Sequence, residues 1–349
     1  MPATLARKEF GRTGLKVPPI IFGTSCLGNL YEALSDETKL AIMREWFKHV
    51  PVPVVLDSAG KYGAGLALET IGRGLKQLGV PAKDVIISNK LAWARAPLTT
   101  PEPTFEPGVW KGLKHDAVQR ISYRGILECF EQGCELLGGY APALVSVHDP
   151  DEYLMAAPSP AERQQRLQDV LDAYRALGEL KAKHAVKGIG IGSKDWRTVQ
   201  ELHRSVRFDW VMFAISPTIL RHPPELMEFI EKLTREGVAI VNSAVFHAGF
   251  LTGGAFFDYQ KLDPKSSDDA PLFAWRDSFF TVCKKFEIKP AAACVQFALK
   301  MPGVVSVALN TGKPERIGEN VRLTQTEIPA AFWQEMKLAG LLEAEYRYV

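Results

Sequence analysis

Short apolar runs rich in β-branched residues recur along the whole chain. They are PIIFGT (19–24), PVVLD (53–57), VIISN (85–89), ALVSVH (143–148), GIGIGS (188–193), WVMFAIS (210–216), VAIVNS (238–243) and VSVALN (305–310). An unbroken apolar run of this length suits a strand buried on both faces, as in a parallel sheet, better than a half-solvated one. Between the runs the apolar period becomes helical. Ser35–Asp36 reads as a helix cap, and the segment behind it puts Leu40, Met43, Trp46 and Phe47 on one face. Residues 66–78, 121–137, 161–182, 196–206, 224–236 and 271–286 carry the same period. Eight strands, each followed by a helix or by a loop and then a helix, predict a single (β/α)8 TIM barrel domain over 1–349. A doubly wound sheet is the alternative, but no second-domain linker is visible, which favours closure.

Two connections are overlong. Residues 91–120 (containing PLTTPEPTFEPGVWKG) follow the third strand, and residues 244–269 follow the seventh. Loops after barrel strands lie on the C-terminal face, where active sites are built, and loops this long are usually functional or disordered. The uncharged stretch from Val238 to Phe257 is long enough to consider as a membrane span. It holds Asn242, Ser243, His247 and three glycines, so it reads as a buried strand and a tight loop.

Composition narrows the class. With 46% hydrophobic and 23% charged residues the chain is ordinary globular protein. Lys+Arg 42 against Asp+Glu 40 gives a formal charge of +2, which points away from nucleic acid and from an anionic membrane. Five cysteines without CxxC spacing and a charged N-terminus without an apolar signal segment predict a reduced, cytoplasmic protein.

Four ionisable residues stand near the mouths of three successive strands: Asp57 and Tyr62 after the second, Lys90 after the third and His148 after the fourth. Singly, each has an ordinary reading as a helix cap, a packing ring, a solvated charge or a structural imidazole. Together they would converge on one pocket. An ammonium held against a phenol favours the phenolate, so Lys90 is expected to lower the pKa of Tyr62. A carboxylate would fix the lysine, and a neutral imidazole would orient a carbonyl oxygen. Such a set exchanges a proton with an alcohol or carbonyl oxygen while a hydride moves at the carbon. His148-Asp149-Pro150-Asp151 is too cramped to present its side chains to one metal ion, and no metal is expected.

At these residues the chain resembles the aldo-keto reductase superfamily, and the resemblance covers nearly its whole length. FGRTGLKVPPIIFGT is similar to the family's N-terminal hairpin and first strand, LDSAGKYGAG to its Asp-plus-Tyr segment, and NKL and SVHDPD to its Lys and His segments. GIGIGS matches the end of strand five, and GKPERIGEN the segment near the cofactor. VHDPDEYL and AVFHAGFLTGGAFFDY look most like the L-fucose and D-threo-aldose 1-dehydrogenase branch. The resemblance implies a catalytic tetrad of Asp57, Tyr62, Lys90 and His148, with Tyr62 as general acid/base. It implies a nicotinamide dinucleotide bound without a Rossmann domain. The glycines of GIGIGS lie inside a strand, so they are read as serving close strand and loop packing and not phosphate binding.

By the same resemblance the cofactor contacts are Asp57, Ser193, Phe246, Asn310, Thr311, Arg316, Glu319 and Asn320, with backbone amides near Pro314 available to phosphate. Lys194 departs from the family's usual Ser-Asn pair, and no glutamine is recognisable after strand six. Asn310 and Thr311 stand where NADP-using members carry Lys-Ser, so NAD is the expected cofactor, with NADP as the alternative through Lys313 or Arg316. Trp93, Trp110, His148, His247 and Tyr259 are expected at the substrate, a small-molecule sugar, aldehyde or ketone. The expected reaction is oxidation of an aldose at C1 to a lactone, or aldehyde or ketone reduction in reverse. A Schiff-base aldolase using Lys90 and a cofactor-sensing subunit without turnover are the rivals from other classes.

Overall fold

The computed structural model describes residues 5–258 and 260–349. All eight apolar runs form strands: β1 (Ile20–Gly23), β2 (Val54–Ala59), β3 (Val85–Leu91), β4 (Leu144–His148), β5 (Gly188–Ser193), β6 (Trp210–Ala214), β7 (Ala239–Ser243) and β8 (Val304–Leu309). They pair in parallel, each with its sequence neighbours, and β8 closes on β1. Every residue of β2, β3, β4 and β5 is buried. That is the burial their unbroken apolar character requires, because barrel strands have side chains inside and helices outside.

The outer ring is α1 (Asp36–His49), α2 (Leu66–Gln77), α3 (Tyr123–Leu136), α4 (Pro160–Ala182), α5 (Trp196–Leu202), α6 (Pro224–Arg235), α7 (Pro290–Lys300) and α8 (Ile317–Leu323). Ser35 caps α1, its hydroxyl accepting from the Thr38 N–H at 3.2 Å. The buried stripe of α1 is Lys39, Ile42, Met43 and Trp46, whereas the expected Leu40 and Phe47 lie half-buried at its edges. Ser122 accepts from the Gly125 N–H, which starts α3 two residues later than the apolar period predicts.

The long connections are more ordered than expected. The 91–120 segment contains an antiparallel pair, Trp93–Pro97 with His115–Gln119. The segment after β7 carries a single 3-10 turn at Phe250–Thr252 and a small ladder of Phe256–Phe257 with Gln260–Lys261. The stretch from Val238 holds β7 and this loop, and no helix among the described residues is long and apolar enough to cross a membrane. An N-terminal hairpin, Lys8–Glu9 with Lys16–Val17, packs Phe10 and Val17 into the lower barrel against Trp210 and Met212.

The glycines of β5 serve the close packing expected of them, Gly188 against Thr13 of the N-terminal hairpin and Leu144 of β4. The other two make room inside the barrel for particular side chains. A methyl on Gly190 would lie 2.2 Å from ring carbons of Trp210, so this position admits the indole that fills the lower barrel. A methyl on Gly192 would lie 3.1 Å from Cδ of Lys90, so this one admits the lysine stem above it.

Candidate active site

Strand register assembles the four ionisable residues. Asp57 lies beside Ser88, two positions before Lys90 on β3, so both side chains point into the barrel. His148 ends β4 beside Gly192. Tyr62 is brought over the barrel by the turn after β2, where its backbone presses on the turn after β1. A methyl on Gly28 would lie 2.7 Å from the Tyr62 carbonyl, and Gly63 has φ 63° with its own would-be methyl 2.3 Å from the Gly28 oxygen. Only glycine permits that approach.

Lys90 is ion-paired with Asp57, and both are buried. Its ammonium also lies 4.8 Å from the centre of the Tyr62 ring, close enough for its charge to act on the phenol. The His148 imidazole meets the Tyr62 ring edge-on at 5.6 Å. The four expected residues therefore share one cluster at the C-terminal end of the barrel, with Asp57, Lys90 and His148 buried and Tyr62 half-buried.

Their electrostatics bear out the direction of the Lys90 effect on Tyr62 but correct the net result. Burial raises the Tyr62 pKa, and Lys90 only partly opposes it, because Asp57 and Asp149 add negative charge nearby. Tyr62 is therefore held protonated more firmly than a free tyrosine, and not less. Burial alone would lower the Lys90 pKa, but Asp57 and the Tyr62 oxygen turn the balance and raise it. His148 is pushed well below the ordinary histidine value by burial, then by Lys90, Lys61 and Lys194, so its imidazole is neutral at pH 7.

Around this cluster runs a charged rim that sequence reasoning missed. Lys61 is buried, with Nζ 2.7 Å from Glu106, 3.4 Å from Glu152 and 3.9 Å from Asp149. Lys194 pairs with Glu152 and lies 3.7 Å from Asp149. Chain position offered a signal: Lys61 precedes Tyr62, Asp149 follows His148, and Lys194 had already departed from the family pattern. Trp110 lies 5.9 Å from Tyr62 with its ring tilted by 34°, and donates its indole N–H to Glu106 at 2.7 Å. Trp93 lies 5.3 Å from the Lys61 ammonium. Both tryptophans thus lie beside the cluster.

His247 does not. It is fully buried, with Nδ1 2.7 Å from Asp258 and Nε2 2.7 Å from the Thr218 hydroxyl. Both nitrogens are used in tying the loop after β6 to the loop after β7, so the expected substrate contact is replaced by a structural bridge. Tyr259 lies outside the described residues. Ser193 is buried at the end of β5, its hydroxyl donating to the Asp195 carbonyl at 3.0 Å. Phe246 is half-buried against the core. At the end of β8, Asn310 donates to the Ser25 hydroxyl at 2.8 Å, and the Thr311 hydroxyl accepts from the Lys313 N–H at 3.2 Å. Lys313 and Arg316 are exposed, Asn320 is half-buried, and Glu319 is paired with Lys289 at 2.7 Å.

Comparison with known proteins decides the family. The family model described as "Aldo/keto reductase family" matches residues 19–339. The chain belongs to the aldo/keto reductase family. Like other aldo/keto reductases it is an NAD(P)-dependent oxidoreductase. It is 28% identical to a pyridoxal 4-dehydrogenase from Microbacterium luteolum, over 96% of this chain and 98% of that one. It is 26% identical to a D-threo-aldose 1-dehydrogenase from a Pseudomonas species, over 94% and 96% respectively. Among solved structures, an aldo-keto reductase from Bacillus halodurans in its holo form superposes with a TM-score of 0.69 at 18% identity, covering 96% of each chain. At that identity the likeness speaks for the barrel alone.

Proposed function

We propose that this aldo/keto reductase oxidises a hydroxy-aldehyde in its cyclic hemiacetal form, an aldose at C1 foremost, to the lactone. The observation that carries the reading is the cluster in which Lys90 is paired with Asp57 beside Tyr62 while the neutral His148 faces the same phenol. In this reading His148 holds the reacting oxygen by a hydrogen bond, and Tyr62, in its phenolate form, takes the proton from it as hydride leaves the carbon and the C–O single bond becomes C=O. In the reverse direction the firmly protonated Tyr62 donates that proton. Lys90 supplies the positive charge that moderates the phenolate, and Asp57 fixes Lys90. An aldose and pyridoxal, as compounds, share an aldehyde with a hydroxyl placed to close a ring, so the two relatives' names support a common hemiacetal chemistry.

A bound nicotinamide dinucleotide supplies the hydride acceptor or donor. The residues present fit it. Asp57 keeps one buried oxygen, Oδ1, without a protein partner, which suits a ribose hydroxyl. Arg316 and Lys313 are exposed cations beyond β8, suited to phosphates. Ser193, Phe246, Asn310, Thr311 and Asn320 would complete the contacts, and Glu319 would need to leave Lys289 to join them. NAD⁺ is the favoured form, because Asn310 and Thr311 place no charge at the expected 2′-phosphate position.

The aldolase rival is disfavoured, since a Schiff-base lysine must be a free amine and Lys90 is held as an ammonium by Asp57. The deciding experiment follows absorbance at the reduced-nicotinamide band with L-fucose, other aldoses, pyridoxal and simple aldehydes. Oxidation of an aldose or pyridoxal supports the reading. Reduction of simple aldehydes with no sugar or pyridoxal oxidation makes the protein a general reductase. Tight cofactor binding without any turnover makes it a sensor.

A further inference from the structure

Asp149 occupies the N-cap position of the short helix Pro150–Met155, yet its side chain makes no capping hydrogen bond. Its backbone is left-handed, at φ 45° and ψ 54°, a conformation that aspartate and asparagine adopt more readily than other residues with a β-carbon. The Asp149 N–H donates to the Gly192 carbonyl at 3.1 Å. The carboxylate turns away from the helix and into the rim of the pocket. Its Oδ2 lies 3.6 Å from His148 Nε2, 3.7 Å from Lys194 Nζ and 3.9 Å from Lys61 Nζ.

None of those three separations is a hydrogen bond. The side chain is only 13% exposed and is placed by two ammonium groups, which are themselves held by Glu106 and Glu152. A carboxylate so confined keeps acceptor capacity that a ligand donor can use. Oxygens on adjacent carbons span a distance comparable to the gap between His148 Nε2 and Asp149 Oδ2. One oxygen can therefore meet the imidazole while the other donates to the carboxylate.

We propose that Asp149 determines specificity by accepting a hydrogen bond from a hydroxyl on the carbon next to the reacting carbon. The site then selects 2-hydroxy carbonyl compounds over those lacking that hydroxyl. The proposal rests on the reading that His148 faces the reacting oxygen. The unused cap and the two flanking lysines are accounted for together, whereas a plain surface ion pair needs neither.

The test compares kcat/KM for reduction of lactaldehyde and of propanal, which differ by that one hydroxyl. The variants are Asp149→Gly and Asp149→Asn, both suited to a left-handed backbone. The wild type should favour lactaldehyde by about 10–100-fold, the scale of one hydrogen bond to a charged group. Asp149→Gly should collapse that ratio towards one, and Asp149→Asn should reduce it. A wild-type ratio near one, or an equal loss on both aldehydes in Asp149→Gly, overturns the proposal. The lactone reading fails separately: a lactaldehyde preference that depends on Asp149, without oxidation of any aldose or pyridoxal, sinks that reading alone.

Discussion

Gly192→Ala would place a methyl 3.1 Å from Cδ of Lys90. Carbon atoms pack comfortably at about 3.5–4.0 Å, so the lysine stem must retreat by about 0.4 Å or more. The stem is flexible, but its ammonium is held at Asp57 beside Tyr62, so part of the displacement reaches the catalytic end. Misplacing a catalytic group by about 1 Å can lower rates by about 10²-fold, so a shift of about 0.4 Å scales to a loss of about 3–10-fold. The packing penalty should be near the low end of the range for overfilled cores, about 1 kcal/mol. Gly190→Ala is the contrast, because its methyl would fall 2.2 Å from the ring of Trp210, a rigid group locked in the lower barrel. That variant should lose stability at or beyond the upper end of the range of about 1–3 kcal/mol. Thermal unfolding and kcat/KM across pH, measured on both, separate the effects. If Gly192→Ala retained wild-type kcat/KM at every pH, β5 would not position Lys90 and the reasoning would be wrong.

Lys90→Met removes the charge that opposes burial at Tyr62, so the Tyr62 pKa should rise further; oxidation, which needs the phenolate, should move its rising limb to higher pH, and an unshifted limb would show that Lys90 does not tune Tyr62. NAD⁺ should be used better than NADP⁺ by about 1–3 kcal/mol in kcat/KM with a shared substrate, and equal values would mean that Lys313 or Arg316 meets the 2′-phosphate. His247→Ala removes the bridge between Thr218 and Asp258, leaving each side chain with Arg221 alone, so denaturant unfolding should report a loss of about 1–3 kcal/mol. Substrate KM should change little in that variant, and a large KM increase at unchanged stability would return His247 to the substrate.

The barrel was legible because strands buried on both faces must be apolar throughout, and VIISN and ALVSVH carry that demand in five or six residues. The tetrad was legible because its members follow such runs and so share the barrel mouth. What escaped depended on partners distant in sequence. WARAP and HDAVQ are too mixed in character to announce a hairpin until they pair across the intervening loop. The role of Gly190 is set by Trp210 on the neighbouring strand, and that of His247 by Thr218, 29 positions earlier. The rise in the Tyr62 pKa was hidden for the same reason. Residue types announced Lys90 as a cation, but only the fold shows how deeply the phenol is buried and how fully Asp57 shares that cation.

Tyr62→Phe tests the central claim most directly. The ring stays, with its packing 5.9 Å from Trp110 and 5.6 Å from His148, and only the oxygen is lost. With the best substrate from the absorbance screen, kcat should fall by about 10²–10⁴-fold, the usual contribution of a positioned acid or base. Cofactor Kd, measured by fluorescence titration of the same sample, should remain at the wild-type value. A near-normal kcat in the phenylalanine variant would contradict the account, since the proton would then be moving through another group.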